Sequence, residues 1–276
     1  MLDLLVPTVA QGLLWAVMAL GVYVTFRVLD IADLTVEGSF PLGAAAAVAG
    51  MLAGVITGIL HTKMKIPALL AGILTMIALY SVNLRIMGKA NLSLLGVDTT
   101  FSLARDILGL NSAETTFVVG LAATVLIGLF LYWFFGTEIG AAIRATGFNQ
   151  QMIRAQGVDT NVTIILGLLL SNALVAISGA LVAQSNGFAD VGMGTGTIVI
   201  GLASVIIGEV LFGTRSFKNC MISVILGSIV YRIVIALVLQ MGMPPNDLKL
   251  FTSVLVAFAL SMPLLKNKVS ARKAVR

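Results

Sequence analysis

Two polar clusters interrupt a strongly apolar sequence, and their residue types and spacing suit the passage of a solute better than catalysis. Their members are Asp33, Glu37, Gly38 and Ser39 in the first, and Asp190, Gly196 and Thr197 in the second. Irregular polar backbone at membrane depth is tolerated only where it is buried in protein or lines a wet cavity. Packing glycines explain part of the pattern but leave the polar residues unexplained. We therefore predict that both clusters line a central pathway.

Ionisable side chains inside apolar helices are costly and are functional candidates by default. Glu209 lies near the end of its helix, so an ion pair with Arg215 or Lys218 is the favoured interpretation. Arg232 lies deeper, beside Tyr231. It either snorkels, or it neutralises a substrate carboxylate or an internal acid, and these alternatives stay open.

Two further polar positions have mainly structural interpretations. Arg27 is close in sequence to Asp30 and Asp33, which predicts a local ion pair. Asn172 and the neighbouring Ser171 interrupt an apolar helix, where hydrogen bonding between helices is favoured over contact with a solute. Asn172 stays among the candidate pathway residues.

Catalytic and metal-binding motifs are absent from the sequence. There is no GxxxxGKS phosphate loop, GxSxG elbow or HExxH motif. The only histidine is His61 and the only cysteine is Cys220, so neither a metal cluster nor an internal disulfide is expected. The chain is therefore predicted to be no enzyme and to bind no cofactor, and transport energy must come from a partner or a gradient.

Composition places the chain among multi-pass membrane proteins. Of its 276 residues 59% are hydrophobic and only 11% are charged, and the mean hydropathy is +1.06. The net charge of +5 comes from basic residues in loops and in the tail. That distribution is a topology signal and argues against nucleic acid as a partner.

Apolar runs of spanning length predict the fold class, an all-α polytopic transmembrane helical bundle of about eight spans. The predicted spans are 5–29, 41–60, 66–82, 116–135, 161–183, 197–212, 219–240 and 248–265. They form one membrane domain, residues 1–265, followed by a basic tail, 266–276. The long connector 83–115 is predicted to hold a short interfacial helix around Phe101, Ala104 and Leu108.

The charge of the connectors predicts which ends of the spans share a side. Basic residues in the 61–65, 138–160 and 213–218 connectors and in the tail mark the cytoplasmic side. Acidic residues, including Asp30, Asp33, Glu37, Asp190 and Asp247, mark the other. An even number of spans then places both termini in the cytoplasm.

Residues 138–160, which we call the coupling segment, are a polar island with helical pattern between two spans. Asn149 is a good N-cap, Gln150 to Gln156 allow two helical turns, and Gly157 occupies the position of a C′ glycine. A short capped helix of this kind is predicted to dock a partner, with Arg144, Gly147, Asn149, Arg154 and Gly157 as the contact or shape-determining residues. A plain solvated loop remains the alternative.

Two segments read alike and predict duplicated halves, about 1–90 and 161–243. The match pairs Asp33 with Asp190 and, after a one-residue slip, Gly38 with Gly196. Duplicated halves are common in transporters, whose solute sites lie near the midplane at the interface between the repeats.

Long motifs then allow a family resemblance to be stated. The chain contains TFRVLDIADLTVEGSFPLGAA at 25–45 and SNALVAISGALVAQSNGFADVGMGTGTIVIGLASVIIGE at 171–209, with RATGFN and AQGV in the coupling segment. In these it resembles the tryptophan/tyrosine-type ABC transporter permeases, a bacterial branch of the branched-chain amino acid and ribose permease superfamily. One departure is that 43–60 has the length of a single span, where the resemblance implies an additional crossing.

The resemblance implies an inner-membrane subunit that forms a homodimer or pairs with a close relative. It also implies two cytoplasmic ATPases, which carry the ATP and Mg, and an extracytoplasmic substrate-binding protein. The solute would be small and organic, such as an amino acid, with an aromatic amino acid as the narrower option. The alternative kept open is a secondary transporter or channel powered by ions, which would be expected to carry acids at mid-span. The acids here read instead as connector and helix-end residues.

Overall fold

The computed structural model describes residues 2–45, 48–242, 244, 247, 250–254 and 257. In this part the chain is a helical bundle with one two-stranded sheet, which confirms the predicted all-α polytopic class. The first helices are α1 (Leu2–Tyr23), a π-helical turn (Val24–Val28), α2 (Thr35–Ala45), α3 (Ala49–Thr62) and α4 (Ala68–Met87). Strand β1 (Asn91–Ser93) and helices α5 (Thr100–Leu108) and α6 (Ser112–Gly136) follow.

The second part of the chain begins with two short helices, α7 (Glu138–Phe148) and α8 (Gln150–Ala155), which form most of the coupling segment. It continues with α9 (Thr160–Asn186), β2 (Phe188–Asp190), a 3₁₀ turn (Val191–Gly194), α10 (Thr197–Phe212) and α11 (Phe217–Gln240).

Six helices of the described part are long and apolar enough to cross a membrane. They are Leu5–Val28, Ala68–Met87, Ser112–Gly136, Thr160–Asn186, Val191–Phe212 and Phe217–Gln240. The predicted span 41–60 is wrong, because α2 and the short apolar helix α3 are separate and α2 begins before it. The predicted span 248–265 falls largely, and the tail 266–276 entirely, outside the described residues.

Helix α9 lies at the centre of the bundle because small residues let its neighbours approach closely. Gly50, Gly54 and Gly58 recur every fourth residue on one face of α3. A Cβ added at any of them would press on atoms of α9, among them the Leu168 carbonyl oxygen opposite Gly54. This spacing is the small-residue pattern typical of helix pairing in membranes. It fixes α3 antiparallel to α9 along much of its length.

Several contacts define one end of the bundle, which we call the α7 end. Gly147 of α7 packs on the carbonyl of Val28 at the end of the first span. Arg27 forms an ion pair with Glu209, near the end of α10. The first span therefore ends beside the coupling segment and begins at the opposite end, where Gln11 donates to Ser185. The predictions that residues 27–33 lie opposite the coupling segment and that the chain starts on its side are thus wrong.

The opposite end, which we call the sheet end, was largely unforeseen. Strands β1 and β2 pair antiparallel, with Asn91 opposite Asp190 and Ser93 opposite Phe188. The short helix predicted within 83–115 is present as α5, with Thr99 and Ser102 forming a capping box. Its Thr100 N–H donates to Gln184 near the end of α9. Each strand has only three residues, too few for a sequence pattern to predict it.

Candidate functional site

The side chain of Asn172, in the middle of α9, binds the non-helical stretch that precedes α2, residues 29–34. Its Nδ2 donates to Oδ2 of Asp33 at 2.8 Å and to the Leu168 carbonyl at 3.0 Å. Its Oδ1 accepts from the hydroxyl of Ser39 at 2.6 Å. Asp33, Ser39 and Asn172 are fully buried. The predicted role of Asn172 in bonding between helices agrees with these contacts.

Asp33 also starts α2. Its Oδ1 accepts the backbone N–H of Thr35 at 2.9 Å, which satisfies one of the free donors at a helix start. The Thr35 hydroxyl then meets that of Thr57 at 2.7 Å, and Thr57 donates to Thr75 at 2.9 Å. This chain of hydroxyls joins α2, α3 and α4 inside the bundle. Asp33 is thus an acid at mid-bundle, which the sequence analysis did not expect.

A cavity of about 450 Å³ lies beside this buried network, between α2, α4 and residues 191–195. Its polar lining comes from Glu37, Tyr80, Ser81, Asn83 and Thr195, and Gly38, Pro41, Met76, Ile77 and Val191 complete it. Glu37 Oε1 accepts the backbone N–H of Gly196 at 3.1 Å. Asn83 Nδ2 donates to the Gly38 carbonyl at 3.2 Å. A mainly apolar cavity of this size with a few polar groups can hold a small solute.

Of the predicted pathway residues, Glu37 and Gly38 line this cavity, and Gly196 is next to it through its hydrogen bond to Glu37. Asp33, Ser39 and Asn172 lie in the buried network instead, so the prediction that Asp33 lines an open pathway is wrong. Thr197 is likewise buried, and its hydroxyl donates to the Gly194 carbonyl at 2.8 Å.

Gly38 and Gly196, which the sequence match pairs, require glycine for different physical reasons. Gly38 permits a close approach, because a Cβ there would lie 2.9 Å from Leu79 Cδ1 and 3.2 Å from Met76 Cα. Gly196 has open space around it but a φ of +83°, which L side chains rarely adopt. It is the turn from the 3₁₀ segment into α10 that requires this conformation.

Asp190 lies away from the cavity, in the sheet. Its Oδ2 accepts from Asn91 and its Oδ1 accepts the Gly192 N–H. Like Asp33, it binds the amide two residues ahead of it, but it is only partly buried. This shared contact agrees with the sequence match between the segments around Asp33 and Asp190. The division of the chain into two halves stays a prediction.

The membrane-embedded arginines are held by structural contacts. The Arg232 guanidinium lies 4.1 Å from the ring centre of Trp15, a cation–π contact that stabilises a charge inside the bundle. Trp15 in turn packs on Phe40. Arg27 pairs with Glu209, so the predicted pairs of Arg27 with Asp30 or Asp33, and of Glu209 with Arg215 or Lys218, are wrong. The cause is the course of the first span, which ends beside α10.

The coupling segment has the predicted caps. Asn149 Oδ1 accepts the N–H of Met152 at 3.0 Å and starts α8, and Gly157 follows its end with a φ of +86°. Thr137 caps α7 in the same way by accepting from Gly140. Gly147 holds α7 against Val28.

Both arginines of this segment contact the bundle, although Arg154 remains exposed. Arg144 stacks over Phe217 of α11 at 5.1 Å, and Arg154 Nε donates to the hydroxyl of Thr160 at 2.6 Å. Phe148 is 91% exposed and Met152 is 47% exposed. The exposed surface of the segment therefore includes an aromatic and a thioether side chain beside Arg154, and the two apolar side chains were not among the predicted contact residues.

Signals for the missed cavity residues were present in the sequence. Met76, Tyr80 and Asn83 follow a helical spacing that puts them on one face of α4. Glu37 and Pro41 are spaced the same way on α2. Thr195 had no such signal, because it lies in an irregular turn.

The chain is similar to known permeases along most of its length. A family model described as "Branched-chain amino acid transport system / permease component" matches residues 4–260. The tyrosine transport system permease protein of Clostridioides difficile is 38% identical over 270 residues, covering 91% of this chain and 88% of the relative. An uncharacterised protein of Rickettsia prowazekii is 33% identical, covering 94% and 98%. The galactofuranose transporter permease protein of Escherichia coli is 30% identical, covering 54% and 42%. No solved structure matches significantly.

The buried network predicts that Asn172→Ala destabilises the bundle by about 1–3 kcal/mol, because buried Asp33 and Ser39 both lose a partner. Ser178→Ala is the matched control on the same helix, since its hydroxyl only adds a bond to the Leu14 carbonyl. Thermal unfolding in detergent should show a clearly larger fall for Asn172→Ala. Equal falls would show that the network does not hold α2 in place.

The anchor of the coupling segment predicts that Gly147→Ala detaches α7 from the first span, because the new methyl group would overlap the Val28 carbonyl. Gly136→Ala is the control, as nothing lies within 4 Å of a Cβ there. Trypsin cleavage after Arg154 should become several-fold faster in Gly147→Ala alone. The same cleavage rate in both variants would contradict this packing.

Proposed function

The chain belongs to the family of branched-chain amino acid transport system permease components, and on that premise we propose that it is the membrane subunit of an ATP-binding-cassette importer. As a permease component the chain is a transport subunit, and it is a multi-pass membrane protein. The proposal adds that ATP is hydrolysed, with Mg, by a separate cytoplasmic subunit, because this sequence has no phosphate loop.

The observation that carries the proposal is the coupling segment. It is a pair of capped helices anchored by Gly147, and its tip presents Phe148 to solvent. Six residues of isolated helix are not stable in water without a partner surface. An exposed aromatic side chain on a rigid support is typical of a docking anchor. We therefore assign α8 and the end of α7 to contact with the ATPase.

The cavity beside Glu37 supports a role in solute passage. Ile77 and Tyr80 of α4 are more than half exposed beside it, so one bundle leaves the cavity uncovered on one side. A second copy of the chain, packed on this face, would enclose it. We propose a homodimer with one ATPase for each permease and an extracytoplasmic substrate-binding protein above.

The solute we propose is a small amino acid, with an aromatic one as the narrower option. Support comes from the relative named as a tyrosine transport permease, and from a cavity that offers a carboxylate, an amide and a phenol. An ammonium group would be attracted to Glu37, and an aromatic ring would stack on Tyr80.

The proposed location is the bacterial inner membrane with the α7 end in the cytoplasm. Lys63 and Lys65, which follow α3, lie at the same end as Arg144 and Arg215, as the positive-inside rule requires. The first span would then run from outside to inside.

The docking proposal predicts that Phe148→Ala weakens ATPase binding about tenfold or more, a usual effect for a central aromatic anchor. Asn149→Ala combined with Gly157→Val should act likewise by loosening both ends of α8, with about 1 kcal/mol lost at the cap. Phe188→Ala is the matched control, since that ring is also exposed but lies at the sheet end. Co-purification with the cognate ATPase and stimulation of ATP hydrolysis by loaded binding protein measure the effects.

The same preparation tests the stoichiometry and the alternative mechanism. The wild-type complex should have the mass of two permeases with two ATPases. Uptake that continues at full rate in the Phe148 variant, driven by a proton or sodium gradient without ATP, would establish an ion-coupled carrier instead. In that case the buried Asp33 and the cavity-lining Glu37 would be the mid-bundle acids that such a carrier needs.

A further inference from the structure

A second cavity, of about 460 Å³, lies at the α7 end and has no part in the proposed function. It is formed where α6 ends, α7 begins and α11 begins. Its lining includes Tyr132, Trp133, Thr137, Arg144 and Phe217. One cation among aromatic side chains is therefore the main chemical feature of the cavity.

Arg144 has no ion-pair partner among the residues that the structure describes. Its guanidinium lies over Phe217, and its Nε is buried without a hydrogen-bond partner. In the part of the chain that the structure describes, no carboxylate forms an ion pair with it. A guanidinium stays charged at all physiological pH values and presents donors in a fork that matches phosphate oxygens. Because no carboxylate of the described residues neutralises this guanidinium, an anion is the fitting ligand.

The surroundings of the cavity indicate where that anion comes from. Helix α6 exposes Leu126, Leu129 and Phe130 along its length, as expected of a surface against lipid hydrocarbon. Tyr132 and Trp133 follow at its end and are 52% and 66% exposed. Tyrosine and tryptophan are enriched at the level of the lipid headgroups. Arg144 therefore lies at headgroup depth.

We propose that this cavity binds the phosphate of an anionic phospholipid headgroup, with Arg144 as the ion partner and Tyr132 and Trp133 flanking the lipid. Because Arg144 belongs to α7, a bound lipid would stabilise the orientation of the coupling segment. Arg144 would then contact the membrane surface, and the exposed Phe148 would contact the partner subunit.

The test uses Trp133 as the reporter within the site. The chain has two tryptophans, so Trp15→Phe leaves Trp133 alone. The full-length permease is reconstituted with mixtures of unlabelled phosphatidylcholine and a brominated lipid, which quenches nearby tryptophan fluorescence. Brominated phosphatidylglycerol should reach half-quenching at about fivefold lower mole fraction than brominated phosphatidylcholine, as ~1 kcal/mol per basic residue near an anionic surface implies.

Arg144→Gln should abolish this preference, and Arg154→Gln, which removes the same charge from the same segment, should keep it. Arg144→Lys should keep part of it, which separates loss of charge from misfolding. No preference in the wild type, or an equal preference in Arg144→Gln, would overturn the proposal. Loss of the preference on adding excess inorganic phosphate at constant ionic strength would also overturn it, by showing a site for free phosphate.

Discussion

Asn172 donates a hydrogen bond to Asp33 and accepts one from Ser39, and these two bonds hold the non-helical residues before α2 inside an apolar bundle. Much of the remaining structure depends on them. In a membrane an unsatisfied backbone group costs several kcal/mol. In residues 29–34 the N–H groups of Leu29 and Ile31 bond carbonyls of the first span. The Asp33 side chain accepts the Thr35 N–H and is itself held by Asn172 of α9. This non-helical stretch redirects the chain from the α7 end back into the bundle. It thereby delivers Glu37 to the cavity.

This arrangement places the two functional regions at different depths along the same helices. The first span ends on Gly147 and beside Glu209, so the base of the coupling segment rests on the element that leads into α2. A partner that moves α7 would displace Val28 first and then the non-helical residues that follow it. The path from docking surface to cavity is therefore short and built from packed backbone. It gives a physical basis for coupling, which the proposed function needs.

Local chemistry predicted local structure well. Asn149 and Gly157 predicted both ends of α8 because capping depends on a few neighbouring residues. Composition predicted a polytopic bundle for similar reasons. Long-range pairing was not predictable in this way. The ion pair of Arg27 with Glu209 and the pairing of β1 with β2 join positions far apart in sequence, and an error in the course of the first span misplaced all of residues 27–33. The pattern of polar residues also did not show that Glu37 lines the cavity while Asp33 is buried behind it.

We propose that the cavity between α2, α4 and residues 191–195 is part of the solute path. Single cysteines at positions 37, 195 and 39 in a Cys220→Ser background test it most directly, with a membrane-impermeant thiol reagent and uptake by reconstituted transporter as readouts. We expect cysteines that replace Glu37 and Thr195 to react, and their modification to stop uptake. A cysteine that replaces the fully buried Ser39 should stay unreactive. Modification at 37 and 195 that leaves uptake unchanged, or equal reactivity at all three positions, would contradict it.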